Sequence, residues 1–427
     1  MWLPVPMLTE KKRLKLLRMI ASVVEDNFYD AETLQSEWPR AVKKHTDRIV
    51  GAPSDEAFEN AVGELLLELK SSHIGFYHAG FKRCSSKMAI CATYSAFALE
   101  DGERWVFQDV HEGGPAARAG IRPGDVLISV GGRSFQPPEH PHFPTDENVT
   151  IEVLTRDMRR VRGTLKIPAP KVRSGQLPYV DSKPDVSYRR LNLDTGYIRV
   201  TRYPGDIGVE VANEISAAVK DLQPMGRLII DLRGNSGGGI GVLRLMSLLT
   251  DQRLVAGKFT KGGIVRTDGI EKYGFLLNRI PTWKAGLYPL GVRYFSSAIA
   301  SRLAKRKHQV TVMTEGLSPQ PFHGRVVLLV DRHTASANEI LLAFAQDHGL
   351  ATLVGEASPG RMLGGENFKL LYDYWLVIPR GSFRTDAGSE IEGRTIIPDV
   401  PSPFDPEQAR LGRDLQLEKA IEVVAQL

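Results

Sequence analysis

The chain has 427 residues, 42% of them hydrophobic and 25% charged, the proportions of an ordinary folded protein and not of a disordered or fibrous one. That length is too great for one small core and sufficient for two or three domains. The formal net charge is only +5 and the bases are scattered, which argues against a nucleic-acid partner. The densest basic run, Arg302 to Gln309, reads as a solvated helix face without an aromatic platform.

No stretch reaches the roughly 18 apolar residues of a membrane-spanning helix. The opening segment MWLPVPMLTEKKRLKLL lacks the basic-then-apolar order of a secretory signal, so the expected location is cytoplasmic. Cys84 and Cys91 can form at most one bridge and have no metal-ligand company; no metal or cofactor is expected.

In chain order, KKRLKLLRMIASVVEDNF and PSDEAFENAVGELLLELK have helical periodicity. In the second, Asp55 and Glu56 suit a helix N-terminus, and Phe58, Val62, Leu65, Leu66 and Leu69 fall on one face. It runs out at SSHIGFY, where Ser72 and His73 stand just past its end. A helical domain is therefore expected over residues 1–80. From about Ala92 the pattern becomes short alternating strands, RWVFQDV, DVLISV and VTIEVLT, which predict a β domain over 92–170. After a polar link, strand-length apolar runs alternate with helical segments, predicting an α/β core with a buried sheet over 186–427.

Two turns in that core could carry chemistry. The strand RLIIDL empties into RGNSGGGIG, Arg233 to Gly241, before a helix beginning near Val242. Such a turn lets backbone N–H groups approach an anion. The spacing fits neither a dinucleotide fingerprint nor a phosphate loop, which leaves a site for a developing oxyanion, or a tight structural turn. The strand RVVLLVD leads to Ser336 and a helix ending near Gly349. A serine there lies at the positive end of a helix dipole, with the Ala337 N–H close to any carbonyl under attack. Read alone, it is more readily a helix cap than a nucleophile.

The stretch GGPAARAGIRPGDVLISVGG, Gly113 to Gly132, resembles the PDZ domains of bacterial proteases. That resemblance implies a peptide bound as an added strand, its terminal carboxylate received by backbone N–H groups. DLRGNSGG, TASANEI, QDHG, LVGEASPG and IEGRTIIPD together resemble the carboxyl-terminal processing, or tail-specific, serine peptidases and their tricorn-core relatives, over nearly the whole chain. The implied architecture is α/β multidomain: an N-terminal helical domain, a PDZ-like domain and a ClpP/crotonase-like protease core.

Carried over, the resemblance makes Ser336 the nucleophile and the backbone of Gly237, Gly238 and Ala337 the oxyanion hole, with no cofactor. In the processing branch a lysine twenty-five residues after the nucleophile is the base. Arg361 stands there, and arginine keeps its proton to a pKa above about 12. The tricorn branch instead uses a Ser-His pair ahead of the PDZ domain and a distant glutamate, which Ser72, His73 and Glu392 match. Neutral imidazole suits the role of base, and Glu392 or Ser72 would orient it.

The expected protein is then a serine peptidase with His73 as base. Its rival is an inactive PDZ scaffold that only binds peptides; acyl-thioester chemistry on a similar core is disfavoured by the PDZ segment. Expected partners are peptide or protein substrates, entering through free C-termini at the PDZ domain. Specificity and oligomeric state stay open.

Overall fold

A computed structural model describes residues 8–80, 83–84, 87–155, 157–169, 171, 180, 184–203, 208–261, 273–317, 322 and 324–427. The polar link expected before residue 186 lies mostly outside them.

The N-terminal periodicity produces four helices: α1 (Glu10–Asn27), α2 (Ala31–Ser36), α3 (Trp38–Val50) and α4 (Asp55–Leu67). Thr9, Asp30 and Ser54 cap α1, α2 and α4 by accepting backbone N–H bonds, each such cap contributing about 1 kcal/mol. The faces carrying Leu16, Ile20 and Val24 of α1 and Phe58, Val62 and Leu65 of α4 are buried. They do not close on themselves. The strand that follows, β1 (Gly75–His78), continues into the core's sheet, and Leu370, Tyr374, Leu376 and Ile378 complete the same apolar cluster. Tyr374 stacks on Phe76 with centroids 4.9 Å apart. The helices expected over 1–80 thus share one apolar core with residues 370–378 of the C-terminal half.

The next unit holds β2 (Arg83–Cys84), α5 (Lys87–Ile90), β3 (Ala92–Leu99), β4 (Gly102–Val110), α6 (Pro115–Arg118), β5 (Val126–Val130), β6 (Arg133–Ser134), β7 (Phe143–Pro144), β8 (Asn148–Leu154) and β9 (Arg160–Lys166). The main sheet runs β3-β4-β5-β8-β9, with β6 on β5. Alternation along β8 buries Val149, Ile151 and Val153 on one face, as period 2 requires. The unit starts before the expected Ala92, since β2 pairs with β7 and Ala89 and Ile90 enter its core.

The remainder contains β10 (Val186–Arg190), β11 (Thr195–Val200), α7 (Val209–Asp221), β12 (Arg227–Asp231), α8 (Val242–Leu248), β13 (Val255–Lys261), β14 (Phe275–Leu277), α9 (Leu287–Leu303), β15 (Gln309–Met313), β16 (Arg325–Val330), α10 (Ala337–Asp347), β17 (Thr352–Gly355), β18 (Leu363–Lys369), β19 (Tyr374–Thr385), β20 (Val400–Pro401), α11 (Pro406–Arg410) and α12 (Leu415–Gln426). One sheet, β10-β11-β12-β16-β17-β20, is parallel from β11 onward. Helices cover both faces: one side of β12 and β16 packs with α7, α8 and α10, the other with α12. The continuous apolar runs of β12 and β16 follow from that double burial. The second sheet, β1-β19-β13-β15-β14 with β18 also on β19, is mostly antiparallel.

Candidate active site

Adjacent parallel strands release their connecting loops at the same end, where α/β sheets place their clefts. Asp231 of β12 sits opposite Leu329 of β16, so the glycine turn and the serine turn emerge side by side. Hydrogen bonds stitch them together. The Gly234 N–H donates to the Asp331 carboxylate at 3.0 Å, and Thr334 Oγ1 donates to the Leu232 carbonyl at 3.1 Å. Asn235, fully buried, donates from Nδ2 to the Val200 carbonyl at 3.0 Å, and its own carbonyl accepts from Asn338 Nδ2 at 2.8 Å.

Gly237 has φ 89°, and a Cβ there would lie 2.7 Å from Ser336 Cβ and 2.9 Å from the Ala337 nitrogen. Only glycine allows the two turns this close. Its N–H, expected to face an oxyanion, donates instead to Asn235 Oδ1 at 3.0 Å, so Gly237 serves here to let the two turns pack together. Gly238 forms a bridge to Tyr203. Ala337 is the first residue of α10, where N–H groups lack intrahelical acceptors.

Ser336 adopts φ 56° and ψ −121°, a left-handed strand-to-helix turn that a residue with a Cβ occupies at a cost and that presents a hydroxyl at the top of a sheet. The turn is held by Glu339. That buried carboxyl accepts from the Ser336 N–H at 2.9 Å, Ser358 Oγ at 2.6 Å, the Gly360 N–H at 2.7 Å and the Arg361 N–H at 2.8 Å. Burial raises its pKa above the ordinary range, while those donors pull the other way. Glu339 therefore fastens the serine turn to the 358–361 loop. It was missed in the sequence, although Ser336-Ala337-Asn338-Glu339 has capping-box spacing that points to it.

Strand β19 assembles the other half. Its first residues pair with β1, which brings in the Ser72-His73 segment, and with β18, whose Gly365 would place a Cβ 3.5 Å from His73 Cβ. Beyond its far end the chain turns back to Glu392. The Glu392 carboxylate accepts from the Ser72 N–H at 2.7 Å and from Ser72 Oγ at 2.9 Å, and Ser72 Oγ lies 2.7 Å from His73 Nδ1. A carboxylate only accepts, so the Ser72 hydroxyl proton points to Glu392 and its oxygen accepts from Nδ1–H. In that tautomer the lone pair of the His73 ring is on Nε2. His73 itself has φ 57°. Burial lowers its pKa below the ordinary 6.5; Glu392 opposes this, and the Arg361 cation adds to it.

Met362 joins the halves. Its N–H donates to Glu392 Oε2 at 2.9 Å, and Ser336 Oγ lies 4.0 Å from its sulfur. Among the described residues no hydrogen bond joins Ser336 Oγ to the His73 ring; in unliganded enzymes such bonds are often long and tighten on substrate. Arg361 is exposed.

The serine turn also touches the β unit that precedes the core. His333 Nε2 lies 2.7 Å from Gln108 Oε1 and 3.1 Å from Ser95 Oγ, while Nδ1 is 3.3 Å from Lys87 Nζ. Burial and the neighbouring Lys87 and Arg332 charges hold His333 down to about 3, and burial brings Lys87 to about 8. A cavity of about 710 Å³ lined by Asp109, Arg199, Arg233 and Asp414 lies at the same domain junction and includes none of the expected site residues.

Residues 194–402 match the model of peptidase family S41, and residues 106–142 match that of the PDZ domain. The core is that of peptidase family S41. The chain is 26% identical over 394 residues to a carboxyl-terminal-processing protease of Picosynechococcus sp., spanning 87% of this chain and 80% of that protein. It is 22% identical over 406 residues to a carboxy-terminal-processing protease of Bartonella bacilliformis, spanning 90% and 79%. In fold it is similar to the photosystem II D1 C-terminal processing protease (TM-score 0.56, 16% identity, 96% of this chain and 97% of that one) and to mature CPAF complexed with lactacystin (0.60, 15%, 97% and 97%). The tricorn protease aligns with 98% of this chain over 37% of its own, at TM-score 0.52 and 16% identity. The chain is accordingly a serine peptidase with an S41-type core, similar over most of its length to carboxyl-terminal-processing proteases.

Proposed function

We propose that this S41 peptidase cleaves peptide bonds by attack of Ser336, with His73 as general base and Ser72 and Glu392 as its positioning residues. The observation that carries the assignment is the hydrogen-bonded series Glu392–Ser72–His73, which unites residues 320 positions apart and leaves Nε2 as the free ring nitrogen. Arg361, at the position of the processing-branch lysine, cannot accept the proton.

His73 takes the Ser336 proton as Oγ bonds to the scissile carbonyl carbon, then returns it to the leaving amine, forming an acyl-enzyme. The oxyanion is received by the Ala337 N–H at the positive end of α10, against the Gly237-Gly238 turn, whose Gly237 N–H stays bonded to Asn235 Oδ1. Water, activated by the same imidazole, releases the new carboxyl terminus and restores the serine.

A serine-directed phosphonate followed by peptide mass spectrometry tests the assignment. Labelling should be confined to Ser336; a folded sample left unlabelled, or labelled at another serine, refutes it.

The PDZ unit is proposed to receive substrate C-termini. Supporting this, β3 is an edge strand of its sheet, the element to which a peptide strand adds. Substrates ending in a free carboxylate should show lower KM than the same peptides amidated, with kcat nearly unchanged, because the lost contact is remote from the reacting bond. Equal KM values would remove the PDZ unit from substrate capture.

A further inference from the structure

Helix α9 presents an apolar stripe to solvent. Tyr288, Val292, Phe295, Ile299 and Leu303 recur at spacings of three and four and so lie on one side. Tyr288 is 79% exposed, Phe295 66% and Leu303 80%, while Ser301 on the opposite side is buried. Trp283, just ahead of the helix, is exposed as well. The stripe extends for roughly 20 Å, and large contiguous apolar faces on a folded protein mark interaction surfaces.

Charge identifies what this face meets. From Tyr273 to His308 the sequence has seven Lys or Arg residues and no Asp or Glu, more positive charge than the whole chain's net +5. Arg302, Lys305 and Lys307 are exposed at the C-terminal end of the stripe, and Arg293 is exposed along the helix. A second copy docked symmetrically on α9 would set one acid-free basic segment against another, which opposes association. An apolar stripe with aromatic side chains, on a segment whose own charged residues are all basic, though Lys284 at its start pairs with Glu210, has the composition of a helix that lies in a bilayer interface.

We infer that α9 docks this peptidase on an anionic lipid surface, its apolar stripe entering the headgroup boundary and the Arg302–Lys307 segment facing acidic headgroups. The reading is independent of which residues carry catalysis. No helix of the described residues is long and apolar enough to span a membrane, so the contact is peripheral.

The test is co-sedimentation of the full chain with vesicles of phosphatidylcholine alone or mixed equally with phosphatidylglycerol. Binding is expected only to the anionic vesicles, and it should weaken as salt is raised. The double variants Phe295→Ser/Ile299→Ser and Lys305→Gln/Lys307→Gln should each bind about tenfold more weakly. Both should keep the wild-type circular dichroism and hydrolysis of a short soluble peptide. Equal binding to both vesicle types, or binding to neither, overturns the inference. So does a dimer in light scattering that Phe295→Ser/Ile299→Ser dissociates, since that assigns the face to a second copy.

Discussion

Ser336→Ala should abolish peptide hydrolysis, lowering kcat/KM on the order of 10⁴-fold or more, while the protein stays folded. The stability expectation comes from the turn. The strained φ is already borne by a residue with a Cβ, so alanine adds no new strain. The Ser336 bond to Glu339 is made by the backbone N–H and survives the substitution. The melting temperature should move by no more than a few degrees. Hydrolysis assays and thermal unfolding on one sample read both quantities, and wild-type turnover in a pure Ser336→Ala preparation would eliminate this serine as nucleophile.

His73→Ala should be nearly as damaging, because nucleophile and base act as a unit. In the wild-type enzyme neutral imidazole is the active form, so kcat/KM should rise with pH as His73 loses its proton and level off above. Burial, reinforced by Arg361, lowers that pKa, so the limb should fall below the ordinary imidazole value of 6.5; a lysine base would place it higher. Arg361→Ala is the informative companion. It removes a cation that disfavours imidazolium, so turnover should persist and the acid limb should shift to higher pH, the shift shrinking as salt screens the exposed guanidinium. Full activity in His73→Ala with complete loss in Arg361→Ala, on folded samples with the same peptide, would invert the assignment.

The parts of the site legible in the sequence were those with a local cause. The placement of Ser336 at a strand-to-helix junction, Gly237 in a glycine turn and His73 just beyond a helix follows from neighbouring residues, while their catalytic roles were implied only by the resemblance to the processing and tricorn-core peptidases. Glu339 is equally local, three residues from Ser336, where capping-box spacing is its one sequence signal. Asn235 and Met362 had no such cue. Asn235 matters through the Val200 carbonyl and the Gly237 N–H, and Met362 through a backbone N–H aimed at Glu392. Their roles lie in hydrogen bonds to distant backbone, which no periodicity records.

Apolar period and turn chemistry by themselves determined the helical start, the alternating β unit and the buried parallel strands, because these express short-range sterics and the burial of one face or two. Residue identity alone also rules out Arg361, at the position where the resemblance implies a base, since a guanidinium keeps its proton wherever it is placed. Tertiary structure decided what meets what: β19 is long enough to pair with β1 at its start and then carry the chain on toward Glu392, so Ser72, His73 and Glu392 meet across 320 positions. The same pairing merges the N-terminal helices with the core, against the boundary expected at residue 80. Register between strands so far apart depends on which apolar faces find one another in the folded molecule, and no local stretch of residues carries that information.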